Sequence, residues 1–305
     1  MNRRRFVALS GAGLGFSLLA PFSFAASRDP GLLKSIPSSG ESIPPVGMGT
    51  WVTFNVGDDP VELEQRLAVL REFFDHGGGM IDSSPMYGSA EWVLGRLLPE
   101  IDGIEKDLFT ATKVWTSNGD NGPAEIEDSR RLWGVSGFDL LQVHNLLAWE
   151  RHLETLFEMK ARGDLRYVGI TTSHGRRHSE LVRVMRDYPI DFVQATYNVL
   201  DREVEGEILP LAVERGIAFI ANRPYRRGSL IDFVHRHPLP DWASEIDCPH
   251  WPAFLLKFIV SHPAVTCVIP ATSQVEHMRE NMSARLGLQP DAEQRERMAD
   301  YVASL

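Results

Sequence analysis

From residue 46 onward the chain alternates short apolar runs with segments of helical period. The apolar runs cover residues 46–51, 79–84, 108–114, 139–145, 167–172, 192–197, 217–223 and 266–271, each the length of a buried strand. Between them the spacing predicts helices over 60–76, 91–98, 123–133, 149–161, 176–187, 204–215 and 251–261. Pro60 suits a first helical turn, and Gly163 and Gly216 suit the left-handed residue that ends a helix before the next strand. Eight such alternations fit the ~250 residues of a single α/β domain folded as a (β/α)8 TIM barrel, here expected over residues 46–305. A doubly wound sheet is the rival fold. It usually places a G-x-G-x-x-G turn after its first strand, and "VGMGTWVTF" does not supply one.

A barrel of this kind gathers its chemistry at the C-terminal ends of its strands. Polar side chains stand at those ends: Asp82 and Tyr87 after the second strand, Lys113 closing "LFTATKVW", His144 closing "DLLQVHN", and Thr171, Thr172, Gln194, Asn222 and Arg223 further on. Strand exits also face solvent, where polar residues are tolerated without a function. Lys113, inside an apolar run, fits that bland explanation least well.

Composition narrows the classes. With 43% apolar and 24% charged residues the chain has an ample core, and a net charge of -10 without a basic run beyond its first residues argues against a nucleic-acid partner. Two cysteines, Cys248 and Cys267, make no disulfide framework.

The opening stretch "MNRRRFVALSGAGLGFSLLAPFSFAAS" joins three arginines to a glycine-rich, weakly hydrophobic segment and a small-x-small pattern near Ala25. It is too short for a membrane span, and the Arg-Arg-x-Phe order resembles a twin-arginine signal. Residues 1–25 are therefore expected to be a signal peptide that sends the folded protein to the periplasm, with 26–45 as a linker. Removing three arginines from a net -10 leaves a mature charge of -13.

Asp82, Tyr87, Lys113 and His144, in order on strands two to four, resemble the catalytic tetrad of the aldo-keto reductase superfamily. "GDLRYVGITTS", "FVQATYNVLDRE", "RPYRRGSL" and "LKFIVSHPAVTCVIPATSQVEHMRENM" are similar to that family's later motifs, so the likeness runs from about Val46 to Met282. The resemblance implies reduction of an aldehyde or ketone with NADPH, or alternatively NADH. Tyr87 would be the general acid, Lys113 the cation that lowers its pKa, Asp82 the anchor of that lysine, and His144 a donor that orients the carbonyl.

It also implies a cofactor groove. The nicotinamide would stack on Tyr197, with its carboxamide held by Gln194, Thr171 and Thr172. The pyrophosphate would lie under a loop containing Arg223, Tyr225, Arg227, Gly228 and Leu230. The adenine end would meet Thr272, Ser273, Gln274, His277, Glu280 and Asn281. Trp51 and Trp115 are candidate substrate walls, and residues 232–252, with Trp242 and Trp251, a candidate covering loop. The histidines of that loop lack tetrahedral metal spacing, so no metal is expected.

The sequence departs from the family at several points. Thr171-Thr172 stands for Ser-Asn, Arg223 for Ser, and Ala271 and His277 for the lysine and arginine of NADPH-specific members. Arg279 and the pair Thr272-Ser273 remain as candidates for the 2'-phosphate. A non-catalytic nucleotide-binding relative with a sensing or assembly role is the competing class. The expected partner is a small-molecule carbonyl substrate, and the expected state a monomer or weak oligomer.

Overall fold

A computed structural model describes residues 31–305, so the expected signal peptide lies outside the described residues. Eight strands form one parallel sheet in sequence order: β1 (Met48–Gly49), β2 (Met80–Asp82), β3 (Phe109–Val114), β4 (Phe138–Val143), β5 (Leu165–Thr171), β6 (Phe192–Thr196), β7 (Ala218–Asn222) and β8 (Val265–Val268). Val46 bridges Val268, and the Gly47 amide donates to the Val268 carbonyl, which closes the sheet into a barrel. Each predicted strand is present, shorter than expected at one or both ends in most cases.

The helices are α1 (Pro60–Asp75), α2 (Ala90–Leu97), α3 (Gly122–Trp133), α4 (Trp149–Arg162), α5 (His178–Asp187), α6 (Ile208–Arg215), α7 (Ser229–Val234), α8 (Trp251–Val260), α9 (Val275–Ser283) and α10 (Ala292–Ser304). Local chemistry sets their ends. Asp59 caps α1 by accepting from the Val61 and Glu62 amides at 2.9 and 3.1 Å. In α4 the buried positions Trp149, His152, Leu153 and Leu156 make one apolar stripe against the sheet. That helix stops at Gly163, whose φ of 83° is the left-handed conformation expected there. The expected helix 204–215 is broken: Glu203–Glu205 is a single tight turn and α6 begins at Ile208. No helix among the described residues is long and apolar enough to cross a membrane.

Residues 26–45, expected as a linker, contain a hairpin in their described part. Lys34–Ser35 pairs antiparallel with Ser42–Ile43, and Ile36 and Ile43 are buried at the foot of the barrel. The Tyr167 hydroxyl reaches Ser39 Oγ and Glu41 Oε2 at 2.7 and 2.6 Å, tying hairpin to barrel. The hairpin forms because two isoleucines find apolar cover there that a free linker would leave in water.

Two apolar clusters result. The larger lies between sheet and helices. The smaller fills the barrel, with Met80, Phe109, Ala111, Leu140, Tyr167, Phe192, Ala218, Ile220 and Cys267 meeting Ile36 and Ile43. Both cysteines are buried and free. Because strand side chains alternate, the interior positions two or four residues beyond that cluster are Asp82, Lys113, Gln142, Thr171, Gln194 and Asn222. The barrel is thus apolar below and polar above. Gly169 completes the transition, since a Cβ there would meet Gln142 Cγ at 2.9 Å and Phe192 Cβ at 3.1 Å.

Candidate active site

Asp82 ends β2 and Lys113 stands in β3, the lysine fully buried and the aspartate nearly so. Lys113 Nζ donates to Asp82 Oδ2 at 2.5 Å and to the Ser83 carbonyl at 2.7 Å. The other carboxylate oxygen accepts from Gln142 Nε2 at 3.0 Å and Gln194 Nε2 at 3.1 Å. Every oxygen of the buried carboxylate is therefore partnered, which is the condition for keeping an ion pair out of water. Burial works against the Lys113 ammonium. The Asp82 carboxylate, with a smaller contribution from Tyr87, outweighs it and holds the lysine above its ordinary pKa.

Tyr87 reaches this pair from a short turn, Pro85–Tyr87, capped by Ser84 Oγ accepting from the Met86 amide. Lys113 Nζ lies 5.1 Å from the centre of the Tyr87 ring, and the His144 ring stands edge-on to it at 5.8 Å and 84°. Burial raises the phenol above its ordinary pKa; Lys113 pulls it down and Asp82 pushes it up. Lysine thus acts in the expected direction, but the expected net lowering does not occur, because removal from water outweighs it. Burial and the Lys113 charge push His144 down to about 3, so its ring is neutral. Its Nδ1 is 2.9 Å from Ser84 Oγ.

Asp82, Tyr87 and His144 open onto a cavity of about 550 Å³, with Lys113 behind them. Of the expected cofactor residues, Thr171, Gln194, Arg223, Tyr225, Arg227, Gly228, Thr272, His277, Glu280 and Asn281 line it, as does Trp51. The Arg227 guanidinium lies 4.3 Å from the Trp51 ring centre, a cation–π contact between the loops after β7 and β1. Burial and the neighbouring Arg227 and Arg226 charges hold Arg223 below its ordinary pKa, while Arg226 is paired with Asp201. Arg223, Arg226 and Arg227 all have positive φ, as does Gly228 at 95°. A loop so strained keeps its shape only through surrounding contacts.

Several expected residues lie elsewhere. Tyr197 falls one position past Thr196 on the outward face of β6 and is wholly buried against Phe219, Phe258 and His262. Its hydroxyl donates to Glu205 at 2.6 Å and accepts from Arg295 at 2.5 Å, so it cannot be a stacking platform in the cavity. Thr172 also points away, with a buried hydroxyl that has no hydrogen-bond partner. Leu230 is buried in the core, and Ser273 and Gln274 stand off the cavity wall.

Trp115 is 42% exposed and misses the cavity because β3 ends at Val114 and Glu125 Oε2 draws the next amides aside. Trp242 and Trp251 do not cover the mouth. They pack on Phe254 and Tyr301, leaving Ile231, Asp232, His235 and Pro252 at the wall.

Sequence reasoning missed Gln142, Ser84, Asn145, Ser173 and His174. Gln142 was detectable, two residues before His144 and so on the same strand face. Asn145 and His174 owe their cavity positions to left-handed backbone, φ 54° and 63°, which no local pattern announces.

The sequence model of the Aldo/keto reductase family matches residues 45–301. A methylglyoxal reductase of Escherichia coli, YeaE, is 26% identical over 256 residues, covering 81% of this chain and 88% of its own. An NADH-specific methylglyoxal reductase of the same organism is 22% identical over 301 residues, covering 78% and 89%. An aldo/keto reductase of Klebsiella pneumoniae, solved with NADP and acetate, superposes with a TM-score of 0.74 at 21% identity, over 88% of this chain and 95% of that one.

Proposed function

Because the chain belongs to the aldo/keto reductase family, we propose that it is an NAD(P)H-dependent oxidoreductase reducing an aldehyde or ketone of a small molecule, with Tyr87 as general acid. What supports this function is the meeting of Asp82, Lys113, Tyr87 and His144 at one end of one cavity. A nicotinamide dinucleotide suits the remainder of that cavity. Thr171, Gln194 and Asn222 offer polar groups at its floor, and Arg223 and Arg227 offer two guanidinium groups to a pyrophosphate. When bound, that cofactor supplies the hydride, which no side chain can deliver.

The chain's own groups do the rest. Tyr87, held protonated by burial, gives its proton to the carbonyl oxygen. Lys113 stabilises the phenolate left behind, and Asp82, fixed by Gln142 and Gln194, keeps the ammonium charged and in place. His144 is neutral, so with Nδ1 accepting from Ser84 its Nε2–H is free to donate to the carbonyl oxygen. The Trp51 ring forms part of the substrate wall.

Oxidation of NADH and NADPH across a panel of aldehydes and ketones tests this activity. Tyr87→Phe is expected to lower turnover ~10²–10⁴-fold while nucleotide affinity stays within about twofold. Loss of nucleotide binding together with turnover would overturn these roles.

Folded export to the periplasm is the companion proposal, supported by the arginine triplet and the small-x-small pattern. Fractionation of cells carrying Arg3→Lys with Arg4→Lys tests it, and an undiminished periplasmic pool would sink it.

A further inference from the structure

We propose that Arg177 is a positioning residue for the reaction: it holds the backbone just beyond His144 and so fixes where that ring meets the carbonyl oxygen. The proposal rests on the reductase function above and adds a residue to it. Three of the four residues between His144 and α4 have left-handed backbone, Asn145 at φ 54°, Leu146 at 55° and Ala148 at 45°. None is glycine, so each is held against its own preference. Such a turn keeps its shape only where its surroundings over-determine it.

Arg177 supplies that hold from the loop after β5. Its Nη1 donates to the Asn145 carbonyl at 2.7 Å and to the Leu146 carbonyl at 2.9 Å, the two successive carbonyls just past His144. Its Nε donates to Glu180 Oε2 at 2.7 Å, and the other oxygen of that carboxylate accepts from Trp149 Nε1 at 2.9 Å. Trp149 opens α4, so Arg177, Glu180 and Trp149 together bracket the turn at both its ends. A planar guanidinium suits this task, because its N–H directions are fixed with respect to one another, as those of a lysine ammonium on its flexible stem are not.

The placement points to positioning rather than to bulk stability. The Arg177 side chain is 41% exposed, and the contact between the start of α4 and the end of α5 is made by Trp149 and Tyr188, edge-on at 5.3 Å. What Arg177 touches is the segment that carries His144. Ser84 meets the His144 ring at Nδ1 from one side, and Arg177 holds the backbone from the other. Donation to the carbonyl oxygen depends on that placement, since a group misplaced by ~1 Å can cost up to ~10²-fold in rate.

The experiment compares steady-state reduction of a carbonyl substrate by Arg177→Ala, His144→Gln and the double variant, with NADPH affinity read by tryptophan fluorescence. Arg177→Ala is expected to lower kcat ~10-fold, with KM for the carbonyl changed less and nucleotide affinity within about twofold. In the His144→Gln background the same substitution should cost less than about twofold, since no imidazole remains to be placed. Losses that simply multiply would show that Arg177 supports the fold at large, and would overturn the proposal. Protein labelled with 15N at histidine gives a readout that needs no turnover. The His144 ring signals, identified by their loss in His144→Gln, should shift or broaden in Arg177→Ala, while those of His262, packed on Tyr197, stay in place. Unmoved His144 signals overturn the proposal. If the wild type reduces no carbonyl, the reductase function fails on its own, and the ring signals still decide whether Arg177 places His144.

Discussion

The Ser84 hydroxyl lies 2.9 Å from His144 Nδ1, joining the turn after β2 to the end of β4, where His144 lines the cavity. That contact fixes which ring nitrogen faces the cavity. Ser84→Ala frees the ring to turn or to change tautomer, so kcat is expected to fall ~10-fold with KM changed less. Steady-state kinetics check it. An unchanged kcat would mean that the serine only caps the turn to Tyr87.

Gln142 is a positioning residue for Asp82. Gln142→Met keeps the volume and removes one donor from Asp82 Oδ1, leaving Gln194 as the other. The expected destabilisation is ~1–3 kcal/mol, from a buried carboxylate deprived of a partner. Urea denaturation measures it, and a loss below ~0.5 kcal/mol would show that Gln194 alone suffices.

Tyr197 separates a structural tyrosine from a cofactor-binding one. Tyr197→Phe takes the hydroxyl from between Glu205 and Arg295, and is expected to destabilise the fold by ~1–3 kcal/mol while nucleotide affinity stays within twofold. A large loss of nucleotide affinity in a fully folded variant would place its ring in the groove after all.

Acid stability follows from the buried histidines. His144 has its pKa depressed to about 3 and His262, by burial and by Arg295, to about 4. Above pH ~6.5 each is neutral folded or unfolded. Below it the unfolded chain binds protons that the folded chain refuses, so stability present above 6.5 is lost as pH falls toward 4 for His262 and toward 3 for His144. Each contributes a slope of about 1.4 kcal/mol per pH unit within its window. Denaturation at pH 7 and pH 5 in wild type and His144→Gln checks it. The variant should lose less stability between the two, and equal losses would show that His144 protonates normally.

The amino-acid sequence by itself determined the eight strand–helix units and the polar residues at their ends, because strand period, helix period and caps are set by neighbours a few positions apart. It equally determined that Gln142 and His144 share a face, since alternation is local. Only tertiary structure decided the rest. Tyr87 titrates high because elements distant in the chain bury it, against the pull of Lys113. Tyr197 turns outward because β6 enters the barrel in the register that puts Gln194 and Thr196 inside. Arg279 stands off the cavity because Glu72, 207 residues earlier, comes to lie beside it. Desolvation, facing and ion pairing of this kind depend on which surfaces meet when the sheet closes, and that meeting is not encoded in any one stretch of chain.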